Sequence, residues 1–358
     1  TWSVFSVFRW SDAPKFAVDV EEKNIQKIRK EVLPFIGQKL NNWPYVGIDS
    51  FSDTTIDKAQ RGILFNGGVV ACDGTRVTHD TIPITITQIG VCLVSYQGDQ
   101  GSFVHRLFRR DLNVDGEYSL EEIEELLNIR RQREGQGEGN ANNNSVLAQR
   151  GLMAYAERKL LLEKANSRLR LGHGNPIPWE LLTSHWATQI NLAKTATALF
   201  RQIVEYKRFV YVASVANRAL ITIGAALSEG EYVIVGTIKK ELEAMIKFGG
   251  VRTDKETEQL TFAENYGDKI VCGLYRASRF SPPYMFYAHR DYAPMAALIA
   301  MADSRLHIHR GFPMLIDIAD TICKSTFSPD AFFSFIRQAY TDAGQPFRYL
   351  SERETRNR

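Results

Sequence analysis

One ten-residue stretch constrains this chain more than any other: Gly67-Gly68-Val69-Val70-Ala71-Cys72-Asp73-Gly74-Thr75-Arg76. An apolar run drives straight into an aspartate. A carboxylate at the end of a buried strand is costly unless a cation, a metal or hydrogen bonds compensate it. The alternative is a turn aspartate, since Asp-Gly is a common hairpin signal. The residues downstream favour a sheet. Thr81 to Tyr96 is rich in Ile, Val and Thr, Gly98-Asp99-Gln100-Gly101 reads as a turn, and Phe103 to Leu112 can return. Three strands joined by turns make an antiparallel meander that begins at Asp73.

The remainder alternates strand and helix. Residues 20–41 read as a surface-charged helix with Val20, Ile25, Ile28, Val32 and Leu33 inward. A long helix is predicted from Val146 to Leu171, and another from Thr188 to Tyr206. Short buried strands are predicted at Phe209–Ser214, Tyr232–Gly236 and Asp268–Ala277. A helix is predicted from Lys239 to Phe248, and Pro313 opens a last one. This is an α/β pattern, with a mixed sheet flanked by helices. Residues 1–60 read as a helical N-terminal extension and 61–330 as one α/β domain. Within it, the nearly apolar-free stretch 132–145 is a flexible insertion; a C-terminal helix and tail occupy 331–358.

The bulk numbers narrow the function. The chain has 358 residues, 44% of them hydrophobic, enough for a large core. Its net charge of +3 excludes a polycation, so any nucleic-acid site is a local patch. No apolar run reaches the ~20 residues of a membrane span. Thr1-Trp2-Ser3-Val4-Phe5 does not resemble a secretion signal. Cys72, Cys92, Cys272 and Cys323 are scattered, which reads as buried thiols in a reducing cytoplasm.

Other carboxylates could join Asp73. Glu157 lies one turn after Met153, at the edge of a stripe formed by Met153, Ala156 and Leu160. It could equally be a solvated helix glutamate. Glu163 is a second choice on that helix. Glu180, in Pro178-Trp179-Glu180-Leu181, is flanked by apolar residues, or else simply sits at a helix N-terminus. In Leu315-Ile316-Asp317-Ile318-Ala319-Asp320, a stripe of Leu315, Ile318, Ala319 and Ile322 leaves Asp320 at its flank and Asp317 in solvent. Asp303 is a weaker candidate. Converging carboxylates suit magnesium or manganese. Separately, Asp111 to Glu122 matches a calcium-loop pattern. A calcium site is one reading; a polar turn with Ser119 capping the next helix is the other. Basic candidates for phosphate are Arg76, Lys239, Arg276 and Arg279. With Tyr284, Tyr287, His289 and Arg290, the last two make an aromatic and basic run suited to stacking. No Walker loop, GxSxG elbow or HExxH motif is present.

The order of these features resembles the NurA nuclease family, in a divergent bacterial branch. The matching pieces are Val70-Ala71-Cys72-Asp73-Gly74-Thr75-Arg76, the helix carrying Glu157, Val235-Gly236-Thr237-Ile238-Lys239, and the late Gly311-Phe312-Pro313…Ala319-Asp320 helix. The resemblance covers roughly residues 61–330. It implies an RNase H-like core, manganese- or magnesium-dependent DNA cleavage, a homodimer and a HerA-type hexameric ATPase as partner. On that basis Asp73 and Glu157 bind metal, Glu180 and Asp320 complete the shell, and Arg76, Lys239, Arg276 and Arg279 contact DNA. Two departures stand out. The family's mid-chain Asp-Gly is absent, with Glu180 the nearest replacement by spacing. Asp320 stands where the family has histidine. The rival expectations are a catalytically weakened scaffold for the ATPase and a calcium-regulated protein.

Overall fold

The computed structural model describes residues 13–31, 48–80, 84–110, 146–182, 191–214, 218–248 and 253–347. Its elements run α1 (Ala13–Glu31), β1 (Ile48–Ser50), α2 (Asp53–Ala59), β2 (Val69–Asp80), β3 (Ile84–Ser95), β4 (Gly98–Arg110) and α3 (Val146–Glu163). Then come β5 (Leu169–His173), α4 (Trp179–Leu182), α5 (Asn191–Tyr206), β6 (Phe209–Ala213), α6 (Arg218–Ala225), β7 (Glu231–Thr237), α7 (Lys239–Phe248) and α8 (Thr253–Tyr266). The chain closes with β8 (Ile270–Tyr275), β9 (Tyr284–His289), α9 (Ala293–Ser304), α10 (Met314–Thr326) and α11 (Pro329–Asp342).

Nine strands form one mixed sheet in the order β1-β7-β8-β9-β6-β5-β2-β3-β4. β2, β3 and β4 are the antiparallel meander, and β5 and β6 run parallel to β2. The segment β4-β3-β2-β5-β6, with helices on both faces, is the RNase H-like arrangement expected from sequence. Each strand alternates its side chains between two cores. Val70 and Cys72 face α3, α5, α7 and α8 on one side. Val69 and Ala71 face α2, α9 and α10 on the other. By the same alternation Asp73 points to the α10 side and Gly74 to the α3 side.

Several expectations are corrected. Asp73 is not at a turn, because β2 continues seven residues beyond it to Asp80. The turn after β3 sits at Tyr96–Gln97, and Gly98 to Gly101 already belong to β4; Gly98 and Gly101 take the positive φ that lets the strand start so abruptly. The predicted helix to Leu171 ends at Glu163, and its last residues form β5 instead. Tyr284 to His289 is not a surface run but strand β9, held between β6 and β8, with Tyr287 and His289 buried. The calcium-loop pattern, the 132–145 stretch and residues 32–41 of the first predicted helix lie outside the described residues.

Candidate active site at the carboxyl end of β2 and β5

β5 accompanies β2 only as far as the Cys72–Gly172 pair. Two residues later the chain turns away through Gly174, at φ +82°. β2 therefore loses its β5 neighbour at Asp73, although β3 still pairs with it there through Cys92, and the sheet opens a notch on the β5 side. The carboxyl ends of parallel strands are where α/β sheets place ligands.

Asp73 is 7% exposed and sits beside His173, whose Nδ1 lies 3.5 Å from Oδ1. That contact raises the imidazole's affinity for a proton, chiefly through the bond to Asp73 and then against the cost of burial. From the other face comes Glu157, on α3. Its approach depends on Gly74: a Cβ there would lie 2.5 Å from Glu157 Oε1 and 3.0 Å from Met153 Cγ. The Glu157 carboxyl is pushed above the ordinary range, first by burial and also by the charge of Asp73.

Arg158 fixes that carboxylate. Its Nη1 donates to Glu157 Oε2 at 3.2 Å and to the Ala154 carbonyl at 2.9 Å. Nε donates to the Pro176 carbonyl at 3.1 Å, and Nη2 to the Asn175 carbonyl. The guanidinium also lies 5.4 Å over the Tyr211 ring. That ring in turn needs Gly172, where a Cβ would come within 2.1 Å of it. A buried guanidinium with its donors used is a rigid support rather than a mobile surface charge.

α10 passes over Asp73 on its own face. Phe312, just before it, meets the His173 ring edge-on at 5.7 Å. Asp317, expected in solvent, is only 25% exposed, because Arg310 folds onto it at 2.8 Å. Burial raises its carboxyl, and the charge of His173 reaches it. Asp320 is bound by Lys324 at 2.7 Å, and the charge of Asp73 reaches that lysine.

Thus the structure brings Asp73 and Glu157 together, with Asp320 on the helix that covers Asp73. Arg76, three residues along β2, is on Glu157's side and donates to Gln149 Oε1 at 3.0 Å. Glu180 lies on α4, just beyond the Asn175–Pro176 loop that Arg158 grips. No hydrogen bond or ion pair among the described residues joins it to Asp73 or Glu157. Lys239 is far away. It starts α7 at the opposite end of the sheet, five strand spacings or about 24 Å to the side, paired with Asp268 at 3.2 Å. Arg276 is engaged by the carbonyls of Ala225, Leu227 and Arg279. Arg279 is at the surface. Asp303 is elsewhere, wholly buried behind α10.

Sequence reasoning missed His173 and Arg158. The usable signal for His173 was its place two residues after a Leu-Arg-Leu alternation.

Among the described residues, no three His, Cys, Asp or Glu groups form a ready-made metal centre. Two carboxylates at one notch nevertheless fit a hard divalent cation, since magnesium is commonly held by one or two carboxylates plus substrate phosphates. Burial is the first cause of the raised Glu157 carboxyl; the charge of Arg158 lowers it and that of Asp73 raises it.

No family model matches the chain, and no curated protein matches it in sequence. Among solved structures, the NurA nuclease from Sulfolobus solfataricus aligns over 94% of this chain and 98% of its own, at 10% identity and a TM-score of 0.43. NurA bound to dAMP and manganese aligns over 90% and 96%, at 10% identity and a TM-score of 0.39. A Ciona intestinalis endonuclease V–DNA complex aligns over 72% and 84%, at 12% identity and a TM-score of 0.27. Likeness at this level assigns the chain neither a family nor a chemistry.

Proposed function

We propose that this protein is a metal-dependent DNA nuclease. One observation carries the reading: Asp73 and Glu157 reach one notch from opposite faces of the sheet, at the point where β5 leaves β2. Asp73 and Glu157 would hold manganese or magnesium, with Glu180 and Asp320 as further candidates. The metal, when bound, supplies water activation and charge stabilisation for phosphodiester hydrolysis. The chain's own residues do the rest. Arg158 holds Glu157 in one rotamer. His173 orients Asp73 and, protonated, offsets its charge. Lys324 places a cation beside the notch where a phosphate would arrive. Arg76, Lys239, Arg276 and Arg279 remain the proposed DNA contacts, with Lys239 too distant to serve the same phosphate as Asp73.

The shared order of motifs with NurA nucleases supports a homodimer working in the cytoplasm with a HerA-type hexameric ATPase, in DNA end resection or anti-phage defence. No helix among the described residues is long and apolar enough to cross a membrane.

The test is digestion of linear DNA with manganese, by protein alone and with the ATPase. Wild type cleaves, and Asp73→Asn is slowed at least about a hundredfold, since even the supports of metal ligands are worth 10–100-fold. Cleavage unchanged in Asp73→Asn refutes the site. Absence of cleavage by wild type under every condition leaves the scaffold reading.

A further inference from the structure

Two loops are locked together between the carboxyl end of β8 and the start of α10. Gly311, at φ +64°, packs so closely on Ser281 that a Cβ would sit 2.2 Å from its Oγ. Ser281 Oγ donates to the Ser278 carbonyl at 3.1 Å, and the Phe280 N–H donates to Ser278 Oγ at 3.1 Å. This clasp sets the Phe280 ring against His309, with centroids 5.5 Å apart. Yet Phe280 is left 55% exposed. The guanidinium of Arg279 lies 4.6 Å over its ring with no ion pair among the described residues, while the Arg279 backbone N–H donates to Glu229 Oε2 at 3.3 Å.

The rings continue inward. Arg310, next to His309, lies 5.7 Å over Phe312. Phe312 meets Tyr284 at 5.3 Å and His173 at 5.7 Å, and His173 is the residue that holds Asp73. A path of ring contacts therefore runs from the exposed Phe280 toward the notch, ending on the buried Phe312, with Arg310 held by Asp317.

We propose that this path binds an unpaired nucleic-acid strand, with Phe280 as its outer stacking platform and Arg279 as a phosphate contact. Only an unpaired strand offers free base faces to an exposed ring, and base–aromatic stacking is indifferent to sequence. An arginine already lying over the ring is placed for both phosphate and cation–π contact. The path's meaning as an approach to Asp73 rests on the nuclease reading, but its binding does not.

The experiment is fluorescence anisotropy on the full chain in EDTA, with labelled oligothymidylate, oligouridylate and a blunt duplex of equal length. The variants are Phe280→Ala, Phe280→Trp, Arg279→Ala and Asp73→Asn, each checked by thermal melting. A single strand binds more tightly than the duplex. Phe280→Ala weakens it about tenfold, while Phe280→Trp retains it. Arg279→Ala weakens binding and lowers the salt slope by about 0.7. Equal binding by Phe280→Ala and wild type, or a duplex bound as well as either single strand, overturns the proposal. Stacking at Phe280 with no cleavage by wild type sinks only the nuclease reading; cleavage lost in Asp73→Asn with Phe280→Ala binding normally sinks only the platform.

Discussion

Two carboxylates, the largely enclosed Glu157 and the wholly buried Asp303, are both pushed above their ordinary range by burial, and they differ in what they face. Asp303 is wholly enclosed between β3 and α10. Its Oδ1 accepts the Tyr96 hydroxyl, and its Oδ2 accepts the Leu315 N–H at 2.9 Å. Nothing is left over, and the carboxyl ties the first turn of α10 to the end of β3. Glu157 accepts from Arg158 but confronts a second carboxylate, Asp73, at a notch. The first arrangement holds the fold; the second carries charge that a ligand could use. A raised carboxyl is therefore a mark of function only when its partners leave it incompletely compensated.

The sharpest way to break this contrast is Glu157→Gln. Cleavage should fall about a hundredfold or more, while the loss of stability stays below that of Asp303→Ala, because the glutamine oxygen can still accept from Arg158 and the repulsion by Asp73 is removed. Equal loss of stability and activity would place Glu157 with Asp303. Asp303→Ala should do the reverse. It strands a buried hydroxyl and a buried N–H, costing about 3 kcal/mol by denaturant titration, with cleavage per folded molecule retained. Gly74→Ala drives a methyl into Glu157 and Met153. It should cost about 1–3 kcal/mol and slow cleavage, since overpacking moves the carboxylate itself.

A smaller effect concerns pH. Asp303's carboxyl is raised to about 6. The folded state therefore holds its proton more tightly than the unfolded chain does. The resulting stability is fully present below the ordinary carboxylate range and is lost as pH rises through 6. It amounts to about 3 kcal/mol at 1.36 kcal/mol per pH unit. Asp303→Asn should remove that slope at a cost under about 1 kcal/mol. Its carbonyl can accept the Leu315 N–H while its amide donates to the Tyr96 oxygen. Urea titrations of both proteins between pH 4 and 7 check this, and parallel curves would contradict it.

How much of this was legible in sequence depended on side-chain pattern. The meander from β2 to β4 was plain, because long runs of Val, Ile and Thr announce strands. β5 was hidden. It is five residues long and carries Arg170, whose charge disguised a central strand; the guanidinium bonds to the Ala165 carbonyl and lies 4.9 Å over the Tyr206 ring. Losing β5 meant losing His173. β9 was mistaken for surface because its tyrosines and histidine suit solvent as well as a core. α8 went unread, since its sequence is largely polar and its burial comes from a few residues such as Phe262 and Ala263. Asp73 and Glu157 were legible as residues out of place. Their meeting was not, because it depends on Gly74 lacking a side chain and on where β5 stops.

If Asp73 and Glu157 form one cation-binding notch, a divalent cation stabilises the fold only when both are present. The most direct test is the rise in melting temperature with added manganese, measured for wild type, Asp73→Asn, Glu157→Gln and, as a control away from the notch, Asp268→Asn. A ligand that binds only the folded state must stabilise it. A concentration-dependent rise is expected in wild type and Asp268→Asn, and none in Asp73→Asn or Glu157→Gln. The same rise in all four proteins would contradict it.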